Sequence, residues 1–292
     1  MDPRPLKYFL HTGDLLCLLG IPGTGWPWIG EVVATHYGPD EISHVSVEGY
    51  EHLPGRLHSS RYRFFVGELD YEIYRYLPRR PAYVTVLRDP VDRIVSLYER
   101  MIHIGEHSPR QNLVEFVTDP ALCFEVVNAQ TRRIAGGACW GSRAISDQAM
   151  LDVAKVHLDE FAWFGLAERP RQMLELLAYM LSWPLRRKQE GLTESPDFGR
   201  EEIPKNALEA ILERTALDRE LYRHAQELFE QRYAQMLREL LELQYRMDRV
   251  SPPRRQFSCA DMELEMELVD SWLWRLLVRA RWLRRRICPP GH

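Results

Sequence analysis

The segment from Tyr83 to Arg100 limits the chain's fold more than any other. Tyr83, Val84, Thr85, Val86 and Leu87 form a mostly apolar, β-branched run, the pattern of a strand covered on both faces. Arg88, Asp89 and Pro90 then turn the chain; Pro90 suits the first turn of a helix and Asp89 suits its cap. Val91, Ile94, Val95, Tyr98 and Met101 or Ile102 recur at helical spacing. A cationic side chain therefore stands where a buried strand ends and a helix begins. In open α/β sheets that is where ligands bind, and helix N–H groups there hold phosphates. Arg88, at the strand end, and Ser96, two turns into the helix, can both reach one phosphate, with Arg93 as a third candidate. The fold class that follows is α/β, a central parallel sheet flanked by helices.

A second segment repeats the strand–turn–helix pattern. Residues 14–21 read as a buried strand, Pro22-Gly23-Thr24-Gly25 as a turn, and Trp26 to Tyr37 as a helix. Further strands are expected at 44–48, 61–66 and 161–165, and helices at 112–118, from about Met173 to Leu181, and from Leu217 to about Met247. The inner stripe of that long helix reads Leu221, Ala225, Leu228, Phe229, Tyr233, Met236, Leu237, Leu240 and Leu241. Residues 185–205 are polar with Gly and Pro and read as a loop.

Composition narrows the function class. The 292 residues suit one large domain or a domain with appendages, and 45% hydrophobic content fills a core. A net charge of -4 gives no reason to propose nucleic acid as a partner. The basic residues are nearly all arginine, which suits bidentate recognition of phosphate and sulfate. The five cysteines have neither metal spacing nor a disulfide framework, so a reducing compartment is expected. The apolar run from Leu15 to Ile21 is too short to span a membrane.

Residues 88–98 spell Arg-Asp-Pro-x-x-Arg-x-x-Ser-x-Tyr. This resembles the 3′-phosphate-binding segment of the sulfotransferases that use 3′-phosphoadenylyl sulfate. The form is that of the branch holding the carbohydrate sulfotransferases, such as the heparan sulfate 2-O type. Other segments resemble the family in the same order: residues 128–136 its Asn-x-Gln-Thr-Arg-x-Leu-x-Gly element, 161–169 its Phe-x-x-Val-Gly-Leu-x-Glu-Arg element, and 218–222 its Asp-x-x-Leu-Tyr. The resemblance implies a P-loop-related sulfotransferase fold over residues 1–250, with 3′-phosphoadenylyl sulfate as donor and no metal. Arg88, Arg93 and Ser96 would bind the 3′-phosphate, and Arg132 the cofactor or an anionic acceptor.

The family's 5′-phosphosulfate loop reads Ile-Pro-Lys-Thr-Gly-Gly-Thr-Ser; here Ile21, Pro22, Thr24 and Gly25 match, while Gly23 replaces the lysine. That lysine faces the oxygen on which charge grows as the bond breaks, and losing such a donor costs about 10²–10³ in rate. The N–H groups of Gly23, Thr24 and Gly25 can still form an anion nest. Restoring lysine at position 23 is expected to raise turnover. A replacement cation beside Gly23 would favour an enzyme; an indole in the phosphate site would favour a non-catalytic nucleotide- or partner-binding relative. The rival P-loop NTPase pattern has Gly20 and Gly25 at the right spacing but places Trp26 and Pro27 at its lysine and hydroxyl positions. At the end of the strand over 61–66 the family has Gly-His, the histidine being the general base. Here Glu68 takes that place, with Asp70 in reserve.

Animal Golgi members carry an N-terminal anchor, so a chain without one is expected to be bacterial and cytoplasmic. Ser251-Pro252-Pro253 breaks the chain before a last amphipathic helix over 261–287. Its arginines, from Arg275 to Arg286, crowd one half beside Trp272 and Trp282, so either a docked helix or peripheral contact with anionic lipid is expected. The expected acceptor is a carbohydrate or another hydroxyl compound.

Overall fold

The computed structural model describes residues 8, 10, 13–45, 61–105, 112–136, 145–183 and 203–250, with side chains to residue 246. In chain order, β1 (Leu16–Leu19) leads to α1 (Trp26–Ala34), β2 (Ile42–His44), β3 (Phe64–Gly67) and β4 (Ala82–Leu87). Then come α2 (Pro90–His103), α3 (Leu113–Thr118), α4 (Cys123–Val126), α5 (Ala129–Ala135) and α6 (Asp147–Glu160). β5 (Trp163–Leu166), α7 (Pro170–Met180), α8 (Lys205–Arg214) and α9 (Ala216–Val250) complete it.

The strands form one five-stranded parallel sheet in the order β2-β3-β1-β4-β5, flanked by helices. β1, β3, β4 and β5 are buried throughout, because helices cover both faces, and their sequences are accordingly almost wholly apolar. From β1 the chain moves outward to β2, returns to β3 beside β1, then crosses to β4 on β1's other side. The switch point thus lies at the carboxyl end of β1, where Leu19 pairs in register with both Gly67 and Thr85.

Two apolar cores divide the molecule. The larger surrounds the sheet, and the smaller joins Val91, Ile94 and Leu97 of α2 to Phe116, Val117, Val126 and Ile211. Membership of the second core directs α2 across the carboxyl edge of the sheet. It starts at β4, passes the end of β1 at Arg93, and reaches Glu68 beyond β3 through Arg100, whose Nη2 is 3.4 Å from Glu68 Oε1. The Asp89 carboxylate caps α2 by accepting the Val91 N–H at 2.9 Å and the Asp92 N–H at 3.4 Å.

Several boundaries differ from the sequence expectation. α1 ends at Ala34 rather than Tyr37; the Thr35 hydroxyl donates to the Val32 carbonyl at 2.8 Å and the chain turns into Gly38-Pro39. The edge strand expected at 44–48 is β2 over Ile42–His44, and residues 46–48 lie outside the described residues. α4, α5, α6 and α8 are not among the expected helices. Leu241, assigned to the inner stripe of α9, is 50% exposed, because the buried face at that turn runs through Met236 and Leu240 and Leu241 points beside it. The linker and final helix over 251–292 lie outside the described residues, and no described helix is long and apolar enough to cross a membrane.

Candidate functional site

The loop after β1 forms the centre of the site. Gly23 and Gly25 have φ of 86° and 77°, which turns the chain sharply into α1. Thr24 is buried, and its N–H and hydroxyl both donate to the Ile21 carbonyl, at 3.2 and 2.8 Å. Two guanidinium groups hold the loop's outward carbonyls. Arg93 Nη1 donates to the Pro22 carbonyl and Arg88 Nη1 to the Gly23 carbonyl, both at 3.2 Å. In a trans peptide the N–H points opposite to the carbonyl, so the Gly23 N–H faces away from Arg93. α1 begins at Trp26 with no side-chain cap, and Gly25 is exposed with open space beside its Cα. The Thr24 and Trp28 N–H groups are used within the turn and Pro27 has none, so what this segment offers at the sheet's switch point is the Gly23, Gly25 and Trp26 N–H groups and the positive end of a helix.

Arg88 is half-buried, and its backbone is clamped. The Gln130 side chain accepts the Arg88 N–H at 3.0 Å and donates to the Arg88 carbonyl at 2.9 Å, as a neighbouring strand would. Glu168, at the end of β5, accepts the Asp89 N–H at 2.7 Å and is itself held by the Tyr222 hydroxyl at 2.5 Å. Asp218 accepts the N–H groups of Thr131 (2.7 Å) and Gln130 (3.2 Å), capping α5, while Asn128 accepts the N–H groups of Leu217 (2.9 Å) and Asp218 (3.3 Å) at the start of α9. The four segments at 88–98, 128–136, 161–169 and 218–222 thus converge in one hydrogen-bonded frame around the end of β4.

Arg93 lies inside the protein at 0% exposure, beneath the loop rather than in a cleft. Besides Pro22 it donates to the carbonyls of Glu125 (3.0 Å) and Val126 (3.4 Å). Burial lowers its pKa, and the Asp218 and Glu125 carboxylates oppose that shift. Ser96 is half-buried one turn further along α2. A turn beyond it, the half-buried Glu99 carboxyl is pushed up by burial and pulled down by the Arg88 charge.

Arg132 serves α4: its Nη2 donates to the carbonyls of Cys123 (3.3 Å) and Phe124, and its guanidinium lies 5.1 Å from the centre of the Phe124 ring. Burial holds its pKa at about 10. Its neighbour Arg133, which carries no expectation from the sequence, is the buried one at 2% exposure, with Nη2 2.8 Å from Glu125 Oε1. The phase of Gln130, Arg133 and Ile134 on α5 is the signal that distinguishes the two.

Gly67, at the end of β3, must be glycine: a Cβ there would lie 1.7 Å from the Val45 carbonyl oxygen. Its own carbonyl accepts the Gly20 N–H at 2.8 Å, tying the end of β3 to the end of β1. That contact sets Glu68 beside the switch point, half-buried and paired with Arg100. Asp70 caps the 3-10 turn at Tyr71–Tyr76 by accepting the Glu72 N–H at 2.9 Å. Burial raises its pKa to about 6, with the Glu72 N–H and the Arg133 charge pulling the other way.

Position 23 is closed to a lysine. A Cβ on Gly23 would lie 2.5 Å from the Arg93 carbonyl oxygen and 3.1 Å from Arg93 Cγ, in a backbone conformation that already disfavours side chains. The space that the expected lysine would need is occupied by α2, so the substitution would strain the loop. Of the two cations that touch the loop, Arg93 is fully buried and Arg88 is partly exposed. The Trp26 indole lies over Gly20, within the interface between α1 and the strand ends, with Nε1 buried and unpartnered. Among the described residues no group of three or more His, Cys, Asp or Glu side chains is arranged to hold a metal ion.

Fold and site together define a parallel α/β protein with a glycine-turned strand–loop–helix at the switch point of its sheet. No family model and no curated protein matches the chain. Among solved structures it is similar to a sulfotransferase from Alicyclobacillus acidocaldarius, at 15% identity and a TM-score of 0.41, over 74% of this chain and 96% of that one. It is also similar to mouse sulfotransferase SULT7A1 complexed with PAP, at 16% identity and a TM-score of 0.37, over 62% of this chain and 63% of that one.

Proposed function

We propose that this protein transfers a sulfuryl group from 3′-phosphoadenylyl sulfate to a hydroxyl group, with a carbohydrate as acceptor. The N–H groups of the Pro22-Gly23-Thr24-Gly25 loop and the start of α1 take the 5′-phosphate, and Arg88 with Ser96 takes the 3′-phosphate. Glu68 accepts the proton of the acceptor hydroxyl. Arg93 supports the loop from below, and Arg132 steadies α4 beside it. The protein's contribution is position and fixed charge, which supply much of the rate in group transfers of this kind.

The observation that carries the proposal is Arg88, a permanent cation clamped by Gln130 at the end of β4 and touching the Gly23 carbonyl at 3.2 Å. Carbohydrate as acceptor rests on the resemblance of residues 88–98 to one branch of the sulfotransferases. A cytoplasmic location rests on the scattered cysteines, and peripheral membrane contact on the arginine-rich stretch over 261–287.

A second reading, a nucleotide-binding relative without transfer activity, is favoured by one observation: position 23 has no room for the loop lysine. Incubation with a radiolabelled sulfuryl donor and a panel of glycans separates the two. The proposal requires label on a glycan, or donor breakdown accelerated by the protein. A protein that binds the desulfated nucleotide yet moves no label is the relative.

A further inference from the structure

We infer that Arg88 serves both ends of the nucleotide, acting as the cation of the 5′-phosphosulfate loop as well as a 3′-phosphate ligand. The inference rests on the nucleotide-binding function proposed above. Four observations carry it. Position 23 cannot supply a cation, because its Cβ would lie 2.5 Å from the Arg93 carbonyl oxygen. α2 cannot retreat to make room, because the Arg93 side chain is fully buried and bound to the carbonyls of Pro22, Glu125 and Val126. The other arginines are held in place: Arg93, fully buried beneath the loop, by the Pro22, Glu125 and Val126 carbonyls, Arg132 by Cys123 and Phe124, and Arg100 by Glu68. Arg88 reaches the loop from the opposite strand, with Nη1 3.2 Å from the Gly23 carbonyl.

The Arg88 backbone is fixed on both sides by Gln130, and its Nη1 is tied to the Gly23 carbonyl, so the side chain is anchored beside the loop where charge stabilisation in a transition state needs a cation. Guanidinium remains protonated throughout the working pH range and presents several donors in one plane, so one group can face two phosphates. In the transfer step the acceptor oxygen bonds to sulfur as the bond from sulfur to the 5′-phosphate oxygen breaks. The electron pair of the broken bond stays on that oxygen, adenosine 3′,5′-bisphosphate leaves, and the acceptor proton passes to the Glu68 carboxylate. Arg88 offsets the charge growing on the leaving oxygen.

The test compares adenosine 3′,5′-bisphosphate, adenosine 3′-phosphate and adenosine 5′-phosphate by competition titration on wild type, Arg88→Ala and Arg88→Lys. The affinity ratio of the bisphosphate to the 3′-phosphate measures what the 5′-phosphate adds. If Arg88 serves both ends, that ratio falls in Arg88→Ala by on the order of tenfold or more, the loss of one charged hydrogen bond. Arg88→Lys, which keeps the charge, recovers part of it. An unchanged ratio in Arg88→Ala, alongside a lost preference for the 3′-phosphate, confines Arg88 to the 3′ end and overturns the inference while sparing the proposed function. Failure of wild type to bind the bisphosphate overturns both.

Discussion

Gly23→Ala tests the packing that closes the loop. The substitution adds one methyl group at φ 86°, where a side chain costs about 1–2 kcal/mol. It also presses that methyl to 2.5 Å from the Arg93 carbonyl oxygen. Overpacking of this kind costs about 1–3 kcal/mol more. The sum is about 2–5 kcal/mol, a large share of the 5–15 kcal/mol that holds a typical domain together. At about 2–4 °C per kcal/mol for a domain of this size, Tm should fall by about 4–20 °C. Gly25→Ala is the internal control: its φ is 77°, but a Cβ there meets nothing within 4 Å. It should lose the conformational part alone, about 1–2 kcal/mol. Thermal unfolding followed by circular dichroism at fixed pH measures both. If Gly23→Ala melts no lower than Gly25→Ala, the Arg93 carbonyl does not close position 23, and room for a lysine there is restored.

Gln130→Ala removes the two part-buried hydrogen bonds that the side chain makes to the Arg88 backbone, at about 0.5–1.5 kcal/mol each. Its urea midpoint should drop accordingly, and an unchanged midpoint would remove Gln130 as the clamp. Asp70 has a folded-state pKa of about 6 against 3.8 for the free residue, so the folded protein binds the proton more tightly. The stability this adds is present below about pH 4 and lost as pH rises through 6. Asp70→Asn, whose side chain can still cap the 3-10 turn, should remove that decline, so the two proteins differ most above pH 6. Parallel pH–stability curves would contradict it. Glu68→Gln should abolish transfer and leave nucleotide affinity unaltered; full activity in that variant would show that Glu68 is not the base.

The strand, turn and helix from Tyr83 to Arg100 were legible because each signal is local: an apolar run, a cap and a proline in the first helical turn. Asp89 makes the capping bonds its position promised. Residues 128–136 were legible as a motif but not in their role. Asn128, Gln130 and Thr131 serve the backbone of α9, the end of β4 and the Asp218 carboxylate, partners distant in sequence that only the tertiary fold brings near. The same distance hid the difference between Arg132 and Arg133. α6 escaped notice although Met150, Leu151, Ala154 and Leu158 lie on one face, because its few apolar residues give a weak helical stripe. From the sequence, Gly23 is a missing lysine. In the fold it is the point of closest approach between the loop and α2, and the cation comes from Arg88 across the switch point.

Calorimetric titration of the full chain with adenosine 3′,5′-bisphosphate and with adenosine 5′-phosphate tests the central claim most directly, since it needs no knowledge of the acceptor. Arg88 and Ser96 predict a clear preference for the bisphosphate, of the size of a charged hydrogen bond at about 1.5–3 kcal/mol. Equal affinities, or no heat with either nucleotide, would contradict the assignment of this site.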